Sequence, residues 1–121
     1  MKLEDLLKTE MTFKRFQSKE LPAATSFRLR HVASAVDDAI ISFRQENHSL
    51  IKKYGAKRED GIIAVTDENN EAFQQEAGKL LNEEVELPGF QLLTLADLGD
   101  TKVSIDDLRA LSWLFVNEQT V

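Results

Sequence analysis

Asp37 and Asp38 are adjacent carboxylates, a pairing that general acid–base chemistry can use when both groups converge on one substrate. On a helix, neighbours point about 100° apart, so the pattern predicts a solvated helix face instead. His31 and His48 are the only histidines, and one straight helix would hold them roughly 25 Å apart, too far to share a metal or a proton within one chain. Asp67-Glu68-Asn69-Asn70-Glu71 is rich in oxygen ligands. It lacks the Asp-x-Asp-x-Asp-Gly order and the closing bidentate Glu of a calcium loop, and helix capping accounts for it. The chain has no cysteine, no phosphate-binding glycine loop, no Gly-x-Ser-x-Gly and no zinc-protease helix. The expectation is a protein that is not an enzyme and uses no cofactor and no metal.

One group of charges is in local conflict with the backbone. Lys14, Arg15, Lys19, Arg28, Arg30 and His31 gather around the expected start of a long helix, where the dipole favours anions over cations. An anion bound there would resolve the conflict, and these six residues form the candidate anion or partner site. The anion is either the acidic half of the same chain or of another subunit, or an external nucleotide-like ligand. The halves do differ in charge: residues 1–60 carry 12 Lys/Arg against 9 Asp/Glu, and residues 61–121 carry 3 against 12. The net charge of -6 argues against general binding to nucleic acid or to anionic membranes. No apolar run approaches the ~20 residues that span a bilayer, and the first residues lack a signal-peptide core, so a cytoplasmic location is expected.

The elements that position these charges follow from apolar spacing. Leu3, Leu6 and Leu7 predict a short helix over 2–8, and Phe13 and Phe16 a further helical turn over 10–19. Leu21-Pro22 breaks the pattern, and Pro22 suits the first position of the next helix. Leu29, Ala33, Val36, Ile40, Phe43, Asn47, Leu50 and Tyr54 then recur in alternating steps of four and three. This heptad seam predicts one helix over 22–54, with Gly55 as its C-cap and Lys52 and Lys53 complementing its last turn. A polar turn over 56–61 and a β-prone Ile62-Ile63-Ala64-Val65 follow. Thr66, Asp67 or Asn69 is expected to cap a third helix reaching Glu84, with Phe73, Ala77, Leu80 and Leu81 as its seam. Pro88-Gly89 turns the chain, Phe90–Leu95 reads as a strand or extended segment, and Ser104 with Asp107 resembles a capping box for a last helix. Ile105, Leu108, Leu111 and Phe115 would form its buried face.

The fold class expected is mainly α. A single domain over 1–121 would comprise a helical arm (1–21), an antiparallel helical hairpin (22–84) and a C-terminal strand and helix segment (85–121), with at most a short β element. Phe43, Leu50 and Tyr54 would meet Phe73, Ala77 and Leu80. A helix of about 33 residues is roughly 50 Å long, against a diameter of roughly 35 Å for a compact domain of this size. Leu29, Ala33 and Val36 lie beyond the reach of the short third helix, so residues 1–20 or a second copy must cover them if the stripe is not to stay wet. Leu29, Ala33, Val36, Ile40 and Asn47 are accordingly expected at the interface of a homo-oligomer, with Asn47 as the polar residue that fixes register.

Leu50-Ile51-Lys52-Lys53-Tyr54-Gly55, Glu59-Asp60-Gly61, Glu68-Asn69, Phe73, Glu76, Leu80-Leu81 and Glu83 to Leu87 together resemble a group of small proteins encoded by bacteriophages and prophages. Leu21-Pro22 before a long amphipathic helix and the closing Val103 to Leu108 stretch belong to the same pattern. The resemblance covers most of the chain. It implies a phage or prophage origin, a bacterial host cytoplasm and a small helical fold, and it supplies no catalytic residue. Three functions fit these readings. The first is an interaction protein that modulates a host or phage protein, such as an inhibitor of host defence. In that case Glu83, Glu84, Glu86, Asp97, Asp100, Asp106 and Asp107 would imitate nucleic acid against a basic groove. The others are a virion structural or assembly protein and an oligomer that sequesters a nucleotide-like anion.

Overall fold

Helix α1 spans Leu3–Gln17 in the computed structural model of the chain, which describes residues 1–87 and 93–116. It runs unbroken through the expected helix over 2–8 and its further turn over 10–19, because nothing between Leu7 and Phe13 breaks it. Lys14 pairs with Glu10 one turn earlier at 3.7 Å. Leu3, Leu6, Phe13 and Phe16 are its buried residues. Lys14 and Arg15 lie in its last turn, where cations suit the dipole.

Helix α2 spans Ala23–Tyr54, close to the range that the heptad seam predicts. Pro22 stands just before it, and its carbonyl accepts the Ser26 N–H at 3.0 Å. Gly55 does not cap the helix. It opens strand β1 (Gly55–Lys57), which pairs antiparallel with β2 (Ile63–Val65), Gly55 facing Val65 and Lys57 facing Ile63. Glycine is required there for space: a Cβ would collide with the Ile51 carbonyl oxygen and lie 2.9 Å from that of Ala64. The tip is a tight turn in which the Gly61 N–H donates to the Arg58 carbonyl at 2.9 Å, with Gly61 at φ 85, a region that glycine enters at little cost. Asp60 accepts from the Ile62 N–H and from Arg58 Nη2, which fixes the turn from both sides.

A 3-10 turn, Asp67–Asn69, leads into helix α3 (Asn70–Leu81). Neither Thr66 nor Asn69 caps through its side chain; Asn69 Nδ2 donates instead to the Tyr54 carbonyl at 3.2 Å. Helix α3 stops at Leu81, short of the expected Glu84, because the next backbone groups pair elsewhere. The Leu3 N–H donates to the Glu83 carbonyl at 2.9 Å, and the Val85 N–H to the Met1 carbonyl at 2.7 Å.

Beyond that lie a 3-10 turn (Leu95–Leu98), helix α4 (Ile105–Ala110) and a last 3-10 turn (Ser112–Leu114). The expected strand over Phe90–Leu95 is reduced, among the described residues, to a single bridge of Leu93 to Phe115. The expected turn at Pro88-Gly89 and residues 90–92 lie outside the described residues. Ser104 caps α4 as its spacing predicts, its hydroxyl accepting the Asp107 N–H at 3.1 Å. Ile105 is not on a buried face: it is 69% exposed. The helix is only six residues long, and Leu111 and Leu114, just beyond it, take the buried positions.

The residues group into two compact units, Met1–Glu4 with Asp37–Glu86, and Asp5–Val36 with the described part of Leu87–Val121. The boundary falls inside the uninterrupted helix α2. The mainly α class is thus the observed one, with one long helix, several short ones and, among the described residues, a single two-stranded sheet.

Candidate functional site

The basic residues Lys14, Arg15, Lys19, Arg28, Arg30 and His31 all fall in the second unit. Here the acidic partner is in the same chain. Arg15 Nη2 meets Asp107 Oδ1 at 3.1 Å, and Arg28 Nη1 meets Asp97 Oδ2 at 3.3 Å. Asp97 is the better-built of the two acids. Its Oδ2 accepts the Thr94 backbone N–H at 2.8 Å and the Thr94 hydroxyl at 3.1 Å. The Thr94 N–H is the leading cause that holds the Asp97 carboxyl below the ordinary carboxylate value; partial burial opposes it, and the Thr94 hydroxyl and Arg28 add to it. The Asp97 carbonyl also takes the Thr25 hydroxyl, so the turn at Leu95–Leu98 is tied to the first turn of α2.

These contacts correct the candidate anion site. Arg15 and Arg28 are structural ion-pair residues, and Lys14 answers Glu10. His31 is exposed and lies edge-on to Phe27, with ring centroids 5.0 Å apart. Lys19 borders an open depression with Glu20, Asp100 and Lys102, where two acids balance two lysines. Arg30 lines a separate, smaller cleft with Gln17, Ser26 and Leu29. The six residues therefore do not converge on one ligand. For the same reason Asp97 and Asp107 drop out of the acidic surface expected to imitate nucleic acid.

The expected oligomer interface is corrected as well. Leu29 and Val36 are each 1% exposed, and Ala33 and Ile40 are also buried, so four of the five named residues are already covered within one chain. In the second unit the cover comes from elements far off in sequence. Phe13 meets Trp113 with ring centroids 5.7 Å apart, and Phe16 meets Phe115 edge-on at 5.9 Å. Leu6, Leu93, Leu98, Leu111 and Leu114 complete this core. Asn47, the fifth residue, is half-buried on the part of α2 that belongs to the first unit.

That first unit holds the surface left open. Phe43, Leu50 and Tyr54 on α2, and Phe73, Ala77 and Leu80 on α3, are all half-buried and none is fully buried. Ile41 is 52% exposed on the same stretch of α2, and Ile62 is 57% exposed at the tip of the β-hairpin. The two helices are linked by Lys53 Nζ donating to Glu76 Oε1 at 3.0 Å. This bond raises the Lys53 ammonium above its ordinary value and holds Glu76 below its own, and Tyr54 contributes to both shifts. The unit carries seven Lys/Arg against thirteen Asp/Glu, whereas the second unit carries eight of each. All of the net charge thus resides with the half-covered apolar seam. Its exposed acids include Asp67, Glu68 and Glu71 at the start of α3 and Glu83, Glu84 and Glu86 after its end. Ile62 and Ile63 are legible in the sequence as β-prone but not as exposed, and Ile41 is not singled out; the signal available is its place off the heptad seam, and theirs beside the turn glycine Gly61.

Asp37 and Asp38 are exposed, as a solvated helix face requires, and His48 is exposed too. Among the described residues no cluster of His, Asp or Glu could hold a metal ion. Among them also, no helix is long and apolar enough to cross a membrane. Compared with known protein families, curated proteins and solved structures, the chain matches none.

Proposed function

We propose that the protein is a small phage-encoded interaction protein that binds and modulates a host or phage protein through the α2–α3 hairpin of its first unit. One observation carries the reading: the hairpin leaves its apolar seam half-covered, on the unit that holds the entire net negative charge. Apolar surface left in water favours a partner that removes it, by ~25 cal/mol per Å². The surrounding acids select a partner with a basic rim and speed its approach. Inhibition of a host defence protein, by occupying a groove that otherwise holds nucleic acid, is the specific activity that suits this chemistry. Sequestration of a nucleotide is less well supported, because Arg15 and Arg28 are paired with Asp107 and Asp97 and the remaining candidates do not converge on one ligand.

The test is capture of partners from infected host cells by the wild-type chain and by Ile41→Glu and Phe73→Glu variants, followed by calorimetry with the purified partner. The expected result is a basic partner retained by the wild type and lost by both folded variants. Binding unchanged in both variants would refute the reading. Sedimentation of the chain alone distinguishes a foreign partner from a second copy, since self-association at the same seam would be lost in the same variants.

A further inference from the structure

We propose that the cleft between the end of α1 and the start of α2 is a subsite for a single oxyanion group, a carboxylate or a phosphate monoester. The cleft has a volume of about 240 Å³ and is lined by Gln17, Ser26, Leu29 and Arg30. Leu29 is buried and forms an apolar wall, while Ser26 is half-buried and Gln17 and Arg30 are exposed. The side chains of Gln17, Ser26 and Arg30 have no hydrogen bond or ion pair to another described residue. That sets them apart from their neighbours, since Arg15, Arg28 and Thr25 are all engaged. A guanidinium, an amide N–H and a hydroxyl can all donate, and three donors facing one cleft suit an oxyanion. Arg30 supplies the charge, and among the described residues no acid lines the cleft to neutralise it.

Size decides the class of ligand. Sites that enclose a drug-sized molecule run to ~300–1,000 Å³, so this cleft takes one functional group rather than a nucleoside. The carboxylate of an acidic side chain on another protein and the phosphate of a modified residue share that chemistry. The subsite lies in the second unit and does not depend on the partner surface proposed for the first.

The experiment is an NMR titration of the full chain with inorganic phosphate and, separately, with acetate, at ionic strength held constant by sodium chloride so that screening does not vary. The expected result is a saturable shift of the Ser26 and Leu29 amides and of the Arg30 side-chain N–H with at least one of the two anions. Saturation by phosphate alone assigns a phosphate monoester, and saturation by acetate assigns a carboxylate. Arg30→Gln should weaken the fitted affinity about tenfold or more, as loss of a charge-assisted contact does, and Ser26→Ala should weaken it less. Arg109→Gln, an exposed cation outside the cleft, should leave it unchanged. Shifts that stay linear with both anions would overturn the proposal. So would an affinity unaltered in an Arg30→Gln variant whose thermal unfolding matches the wild type.

Discussion

The two halves of helix α2 share one backbone and one heptad seam but end in different surroundings. Leu29, Ala33 and Val36 are buried with α1 and the C-terminal segment; Phe43, Asn47, Leu50 and Tyr54 continue the same spacing and are only half-covered. Among the described residues, eleven of the thirteen buried apolar side chains belong to the second unit, leaving only Leu3 and Ile40 in the first. Charge divides the same way. The second unit neutralises itself, and the first keeps an excess of acid. A periodic stripe therefore specifies a helix without specifying what covers it. Coverage is decided by how much apolar chain the fold returns to each turn of that helix.

The largest test of this contrast is a matched pair of core truncations. Phe16 is 0% exposed, and Phe16→Ala should destabilise the chain by ~3–5 kcal/mol in urea unfolding, the range for emptying a large buried site. Phe73→Ala removes the same side chain from a half-covered position and should have well under half that effect. Equal losses would erase the distinction between the units.

Gly55→Ala comes next. The added Cβ would strike the Ile51 carbonyl at the junction of α2 and β1, and overpacking of this kind typically costs ~1–3 kcal/mol. A wild-type denaturation midpoint would show that the junction yields freely.

How much of this was legible in the sequence depends on range. The limits of α2 and the Ser104 cap follow from neighbours a few positions apart, and both are read correctly. The attraction between a basic first half and an acidic second half is visible as charge, yet not as the particular pairs Arg15–Asp107 and Arg28–Asp97, which join positions 92 and 69 apart. The cover over Leu29, Ala33 and Val36 is legible only as a choice between residues 1–20 and a second copy, because Phe13–Trp113 and Phe16–Phe115 are contacts of the same long range. Gly55 was misassigned for the opposite reason. A glycine after a helix suits a left-handed cap, and nothing local reveals that a strand from Ile63–Val65 returns beside it. That the stripe would be only partly covered is legible from its length, but the open stretch is expected at Leu29, Ala33 and Val36, whereas it lies at Phe43, Asn47, Leu50 and Tyr54.

A smaller effect, confined to the second unit, is set by pH. The folded Asp97 carboxyl lies below its unfolded value, so the folded state binds fewer protons. Its contribution is present above the ordinary aspartate range near ~3.9 and fades as pH falls through the lower folded value. Asp97→Asn should therefore be less stable than the wild type at neutral pH, and the gap should close progressively in acid. A gap of constant size from neutral pH to strong acid would mean that Asp97 acts through shape and not through its charge.

Native-state hydrogen exchange along helix α2 tests the central claim most directly, because one helix samples both environments. Amides from Leu29 to Val36 should exchange only with global unfolding, while those from Phe43 to Tyr54 should exchange through a smaller, local opening of the first unit. Uniform protection along the helix, or stronger protection in its second half, would contradict a packed second unit beside a half-covered hairpin in the first.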